Sequence, residues 1–280
     1  MKEIGIMQGR LTKTRNEKIQ TFPTNDWEKE FELVAELGYG SIEWLIDSEG
    51  IDKNPLFSKN QRKTIHKLVD KYNISIPAVC HDVLMDFPLH SSDSNTSRFA
   101  RKILTKTMEA CESIGIQFIE IPLIGKSTLN DASGVKKLTN IFSNLDAKAK
   151  QYGISFILET DLTPEHNAAL MEKMRGLSVG LNFDMGNSAY WGFDPDHELP
   201  LIGIWIKNVH VKDCTPQDYT IPLGDGDVDF RKVLTNLKNQ NYDGLFILQA
   251  APAPPGEEKE IAKKYFQFTQ NQLGNYYYES

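Results

Sequence analysis

The sequence predicts a single-domain (β/α)₈ TIM barrel over residues 1–280. Eight short apolar runs alternate with helical patterns, the order that builds a parallel sheet with helical crossovers. The length of 280 residues suits two average domains or one large barrel, and no linker, low-complexity tract or charge block divides the chain. No Gly-x-Gly-x-x-Gly follows the first run, which counts against a dinucleotide-binding doubly wound sheet.

Glu3 to Gln8 reads as the first strand, ending at Gly9-Arg10. The polar stretch Thr12 to Pro23 is long for a connection and is placed to cover a site. A helix follows to Leu37, with Trp27, Phe31 and Val34 at helical spacing and Gly38 as its stop. The next strands are expected over Ser41–Ile46, Ile74–Cys80 and Gln117–Leu123, separated by helices over Ser58–Tyr72 and Ser92–Ile114. A helix from Ser133 to Tyr152 leads into the fifth strand, Ile154–Thr160. Thr163-Pro164 starts another helix, with Thr163 as cap and Pro164 in the first turn. Strands over 178–184, 204–210 and 245–249 complete the set. The Gly/Asp loop from Pro222 to Phe230 precedes a helix capped by Asp229, and a last helix begins at Glu257.

Hydrophobic content of 40% and charged content of 25% are those of a globular protein. The net charge of -7 argues against a polyanionic partner such as nucleic acid. The three cysteines, Cys80, Cys111 and Cys214, are widely spaced and read as reduced thiols in a cytoplasmic protein. No leader-like segment and no apolar run of bilayer length is present, so no membrane partner is expected.

The last four strands each end in a side chain that can ligate a metal: Glu159, Asp184, His210 and Gln249. In a parallel barrel the C-terminal strand ends meet at one mouth, where active sites lie. Two carboxylates, an imidazole and an amide oxygen form a mixed N/O set that suits Mn²⁺ or Mg²⁺, with Co²⁺ and Zn²⁺ as alternatives.

Leu158-Glu-Thr160, Asn182-Phe-Asp-Met-Gly-Asn187, His210-Val-Lys-Asp213 and Pro222-Leu-Gly-Asp-Gly-Asp-Val-Asp-Phe230 together resemble the sugar phosphate isomerase/epimerase family of xylose isomerase-like barrels. Met7-Gln-Gly-Arg-Leu11 and Ile42-Glu43-Trp44 fit the same pattern, and the resemblance spans essentially the whole chain. It implies a divalent metal held by Glu159, Asp184, His210 and a fourth residue, a glutamate in the family and Gln249 here. In the family's ketose 3-epimerases the first and last carboxylates also move the proton on opposite faces of an enediolate. An amide can ligate a metal, but it cannot act as a base near neutral pH. The reading is therefore a metal-dependent isomerase or epimerase of a sugar, sugar phosphate or related polyol, with Glu159 as base and His81 as the leading substitute for the second base. Expected substrate contacts are Arg10, Glu43, Trp44, His81, Asn187 and Lys212.

Two other enzyme readings use related sites. A keto-sugar or inosose dehydratase or lyase would share the metal and the enediolate. The endonuclease branch needs further strand-end histidines that the six histidines here do not supply. A non-catalytic sugar- or metal-binding barrel is the reading that Gln249 favours. A homodimer is expected because barrels of this kind often pair.

Overall fold

The computed structural model describes residues 4–13 and 19–278. Eight parallel strands, β1 (Ile4–Met7), β2 (Ser41–Leu45), β3 (Ala78–Cys80), β4 (Phe118–Leu123), β5 (Ser155–Thr160), β6 (Val179–Asp184), β7 (Ile206–Val211) and β8 (Leu245–Leu248), pair in sequence order. β8 closes on β1 through Ile4–Phe246, Gly5–Ile247 and Ile6–Leu248, so the sheet is a closed barrel. The helices α1 (Trp27–Leu37), α2 (Lys59–Tyr72), α3 (Val83–Asp86), α4 (Ser94–Ile114), α5 (Ala132–Tyr152), α6 (Pro164–Lys173), α7 (Met185–Tyr190), α8 (Pro195–Ile202), α9 (Phe230–Asn239) and α10 (Glu258–Leu273) accompany it. None of the helices among the described residues is long and apolar enough to cross a membrane.

Strand parity divides the side chains. On β2, Trp44 faces outward and packs on Trp27 and Phe22, while neighbouring Glu43 faces the barrel interior and meets residues of β7. The outward apolar residues of the strands, among them Phe156 and Phe246, form the layer beneath the helices. Phe142 of α5 lies 4.9 Å from Phe156, ring centroid to ring centroid.

The loops at the C-terminal rim are held by buried carboxylates. Glu30 of α1 accepts hydrogen bonds from the Gly9 and Leu11 amides and from Thr12, which pins the turn after β1. Gly9 has φ 86°, and a Cβ there would lie 2.3 Å from the Thr21 carbonyl oxygen, so the turn requires glycine. Asp213 accepts from the amides of Cys214, Gly224, Gly226 and Val228 and thereby shapes the Gly/Asp loop.

Several elements differ from the sequence expectation. β3 begins at Ala78 rather than Ile74 because Pro77 offers no amide to a ladder. β7 begins at Ile206, after a 3₁₀ turn over Gly203–Trp205. The sequence reading assigns no element to the short helices α3 and α7, which follow strand ends, and Asp184 caps α7 through the Asn187 amide. The C-terminal tail packs: Tyr277 donates to the Tyr242 carbonyl and rests edge-on against Phe246. Residues 14–18 of the expected covering loop and the tail beyond Tyr278 lie outside the described residues; Ile19 and Gln20 of that loop do line the mouth.

Candidate metal centre and active site

Glu159, Asp184 and His210 stand at the inner ends of β5, β6 and β7. One ligand atom from each lies within 4.8 Å of the others, and all three residues are buried. The register dictates this: Asp184 pairs directly with His210, and Glu159 is the last but one residue of β5, the strand next to β6. Asp184 Oδ2 is buried without a well-formed hydrogen bond, although Lys212 Nζ lies 3.1 Å away. A buried carboxylate oxygen beside an imidazole and a second carboxylate is the donor set a divalent ion takes, so these residues fit such an ion.

The His210 ring has a different partner on each nitrogen. Nε2 lies 2.7 Å from Glu43 Oε2 and 3.4 Å from Glu120 Oε2, while Nδ1 lies 3.3 Å from Glu159 Oε2. Glu43 therefore orients the ring so that Nδ1 faces the ligand group, the role that carboxylates behind metal-binding histidines commonly have. Burial works against the imidazolium, but Glu43 and Glu120 outweigh it and raise the His210 pKa. Burial also pushes Glu159 upward, yet the His210 ring prevails and holds it at about 2. Glu120, buried on β4 among other carboxylates, is raised well above the usual range.

An amide network holds the carboxylates in place. Asn182 Nδ2 donates to Glu159 Oε2 at 2.8 Å, and Asn187 Nδ2 donates to Glu159 Oε1 at 2.7 Å. Asn208 Nδ2 donates to Asn182 Oδ1 at 3.0 Å and approaches Glu43 Oε1 at 3.3 Å. Lys212 Nζ donates to Asn187 Oδ1 and sits 4.0 Å over the Tyr219 ring.

Above this floor lies a cavity of about 200 Å³, lined in part by Arg10, Gln20, Asp82, Glu120, Glu159 and Gln249. Arg10 is tethered by Nε to the Ala250 carbonyl at 2.8 Å and by Nη2 to Gln20 Oε1 at 2.9 Å. Its buried Nη1 has no partner among the described residues. Gln249 reaches Gln20 Oε1 through Nε2 at 3.4 Å and stands at the rim facing Glu159 across the cavity.

Of the residues expected from the sequence, Glu159, Asp184, His210, Arg10, Glu43, Asn187 and Lys212 come together, and Gln249 joins them at the cavity wall. Two do not. His81 points away from the cavity: its Nε2 lies 3.0 Å from Thr107 Oγ1 on α4, and burial lowers its pKa to about 3. Cys80 takes the inward position of that strand end, so parity turns His81 outward and away from the second-base role. Trp44 is likewise on the outer face, where its indole donates to Asn54 Oδ1 at 3.0 Å and its rings pack under α1; it is no part of a sugar wall. Asn182, Asn208, Asp82 and Gln20 are the residues lining this region that are absent from the sequence expectation, while Glu120, whose facing the sequence leaves open, points inward to His210. For Asn182 and Asn208 a signal existed: each stands two residues before a ligand and so shares its face.

The xylose isomerase-like TIM barrel family model matches residues 31–271, and the chain belongs to this family. Among curated relatives, the L-ribulose-5-phosphate 3-epimerase UlaE of Salmonella heidelberg is 26% identical over 234 residues, covering 80% of this chain and 81% of that protein. Among solved structures, D-psicose 3-epimerase from Clostridium cellulolyticum H10 superposes with a TM-score of 0.77 at 15% identity, covering 98% of this chain and 99% of that one. An L-ribulose 3-epimerase superposes with a TM-score of 0.78 at 15% identity, covering 98% and 95%. At these identities the structural likeness establishes the fold.

Proposed function

We propose that this protein is a divalent-metal-dependent epimerase or isomerase of a ketose or ketose phosphate, with Glu159 as the base. The observation that carries the reading is the buried Glu159–Asp184–His210 group at the floor of a cavity that also holds Arg10 and Lys212. The 3-epimerase relatives support a ketose as substrate. Mn²⁺ is the ion the carboxylate-rich donor set favours, with Mg²⁺, Co²⁺ and Zn²⁺ as alternatives.

Glu159, Asp184 and His210 would hold the ion, which would supply the positive charge that polarises the sugar carbonyl and acidifies the adjacent C–H. Glu159 then takes the proton from that carbon, and the electron pair moves into an enediolate. Asn182 and Asn187 donate to the Glu159 oxygens, fixing the carboxylate's aim. Arg10, with Nη1 unpartnered, receives the hydroxyl or phosphate end of the sugar. Burial lowers the Arg10 pKa only to about 10, so it stays charged at neutral pH.

A cytoplasmic place in carbohydrate metabolism and a homodimeric state belong to the same proposal. The three buried free cysteines support a reducing compartment. The test is turnover of L-ribulose 5-phosphate, D-psicose and D-tagatose by the Mn²⁺-loaded protein. Metal-dependent interconversion is expected; tight sugar binding without turnover would favour a binding barrel, and loss of water from the sugar a dehydratase.

A further inference from the structure

We propose that Asp82 is the second proton-transfer residue, acting on the substrate face opposite Glu159, where Gln249 has no base to offer. The inference rests on the epimerase reading above.

The register sets the geometry. Cys80 of β3 pairs with Glu120 of β4, and Pro122, two residues on from Glu120, pairs with Glu159 of β5. Asp82 lies two residues beyond Cys80, where the chain leaves β3 and turns into α3, on the same rim as Glu159 with the end of β4 between them. Both carboxylates line the same cavity. With neighbouring strands ~4.8 Å apart, two steps separate their backbones by roughly 10 Å. Side chains turned toward the axis then leave room for one sugar carbon at about 3 Å from each carboxylate, the reach that proton transfer requires.

Two other ionisable groups of the cavity, Glu120 and Lys212, are committed elsewhere. Glu120 sits deeper, two residues below Pro122 on β4, and contacts His210 Nε2. Lys212 is held by Asn187 and Asp184. Asp82 stands apart from that cluster, and no cation among the described residues forms an ion pair with it. Gln20 Nε2 donates to its Oδ2 at 2.9 Å and Cys80 Sγ to its Oδ1 at 3.3 Å. Gln20 also accepts from Arg10 and from Gln249, so one side chain ties Asp82 to the position where the family's last carboxylate stands. Burial pushes Asp82 up to about 6, a range in which a carboxyl group both holds and releases a proton.

The step balances. Glu159 carboxylate removes the proton from the carbon beside the carbonyl, and the C–H electron pair becomes the enediolate. Asp82, as the carboxylic acid, returns a proton to the other face while the carbonyl re-forms. Glu159 is then protonated and Asp82 ionised, and exchange with water at the mouth resets both. In the reverse direction Asp82 is the base.

The two epimers therefore enter through different bases, and this gives the test. Mn²⁺-loaded wild type and Asp82→Asn are incubated in D₂O with each member of two pairs, L-ribulose 5-phosphate with L-xylulose 5-phosphate and D-psicose with D-fructose. Deuterium at C3 of the recovered sugar and formation of the epimer are followed by NMR. Wild type exchanges with both epimers of one pair and interconverts them. Asp82→Asn is expected to keep exchange with one epimer and lose it with the other, and to lose interconversion by about 100-fold or more. Should the amide variant fold poorly, Asp82→Ala with added acetate is used, and acetate restores exchange with the silent epimer. Exchange retained with both epimers, or lost with both while Mn²⁺ still binds, overturns the role of Asp82. Absence of exchange by wild type on every pair overturns the epimerase reading itself, and Asp82's role with it.

Discussion

His210 Nε2 lies 2.7 Å from Glu43 Oε2, and both side chains are fully buried. The pair links the inner face of β2 to that of β7 across the barrel and leaves Nδ1 turned to Glu159. A neutral amide in place of Glu43 would hold the ring less firmly. Glu43→Gln is expected to weaken Mn²⁺ binding by about 10- to 100-fold, the usual effect of removing the partner behind a histidine ligand. Isothermal titration with Mn²⁺ measures this directly, and an unchanged affinity would remove Glu43 from the metal centre.

Gln249→Glu adds a charge at the rim, opposite Glu159. It is expected to tighten Mn²⁺ binding and to raise proton exchange, at the cost of the hydrogen bond Gln249 Nε2 now makes to Gln20. Mn²⁺ affinity and deuterium uptake into the ketoses named above report the two effects separately. No gain in either would mean that this position does not reach the metal.

Asp213 is the acceptor for four backbone amides of its own turn and the Gly/Asp loop. A Cβ at Gly226 would collide with the Asp213 carboxylate at 2.2 Å, so the two positions are fitted to one another. Asp213→Ala leaves those amides without their acceptor and is expected to cost about 3 kcal/mol, since each buried unsatisfied amide costs roughly 1–3 kcal/mol and water recovers part of the loss. Urea denaturation of the variant against wild type gives the value.

Glu198 of α8 is buried, accepts a hydrogen bond from Ser188, and is pushed by burial from 4.5 up to about 7. Its folded pKa exceeds the unfolded one, so the folded state binds more protons between those values. The stability it contributes is fully present below about pH 4.5 and is lost as pH rises through about 7. Melting temperatures across that window should therefore fall less steeply in Glu198→Gln than in wild type; parallel curves would refute the assignment.

Much of the fold was legible because each strand is a short apolar run bounded by turn residues, and the eightfold alternation admits few architectures. The grouping of Glu159, Asp184 and His210 was legible for the same reason: strand ends in a parallel barrel share one mouth. His81 and Trp44 were misplaced because a strand end does not reveal which of two consecutive polar or aromatic residues faces inward. At β3 the small inward Cys80 decides it, and at β2 the choice falls to Glu43. Asp82 and Gln20 were not legible, since their meeting joins the loop after β1 to the end of β3, a contact that no local period encodes. The Gly/Asp loop reads as a turn from its own residues, but its cause is Asp213, before it in the chain.

In the function proposed above, Glu159 removes a proton from a ketose held at the Glu159–Asp184–His210 centre. The most direct measurement is C3 deuterium incorporation by NMR, with L-ribulose 5-phosphate, D-psicose and D-tagatose in D₂O. It is made on wild type with and without Mn²⁺ and on Glu159→Gln at saturating Mn²⁺. Exchange is expected to require the metal and to fall by about 100- to 10,000-fold in the variant. Exchange that survives in Glu159→Gln, or none in the Mn²⁺-loaded wild type with any of the three sugars, would contradict that function.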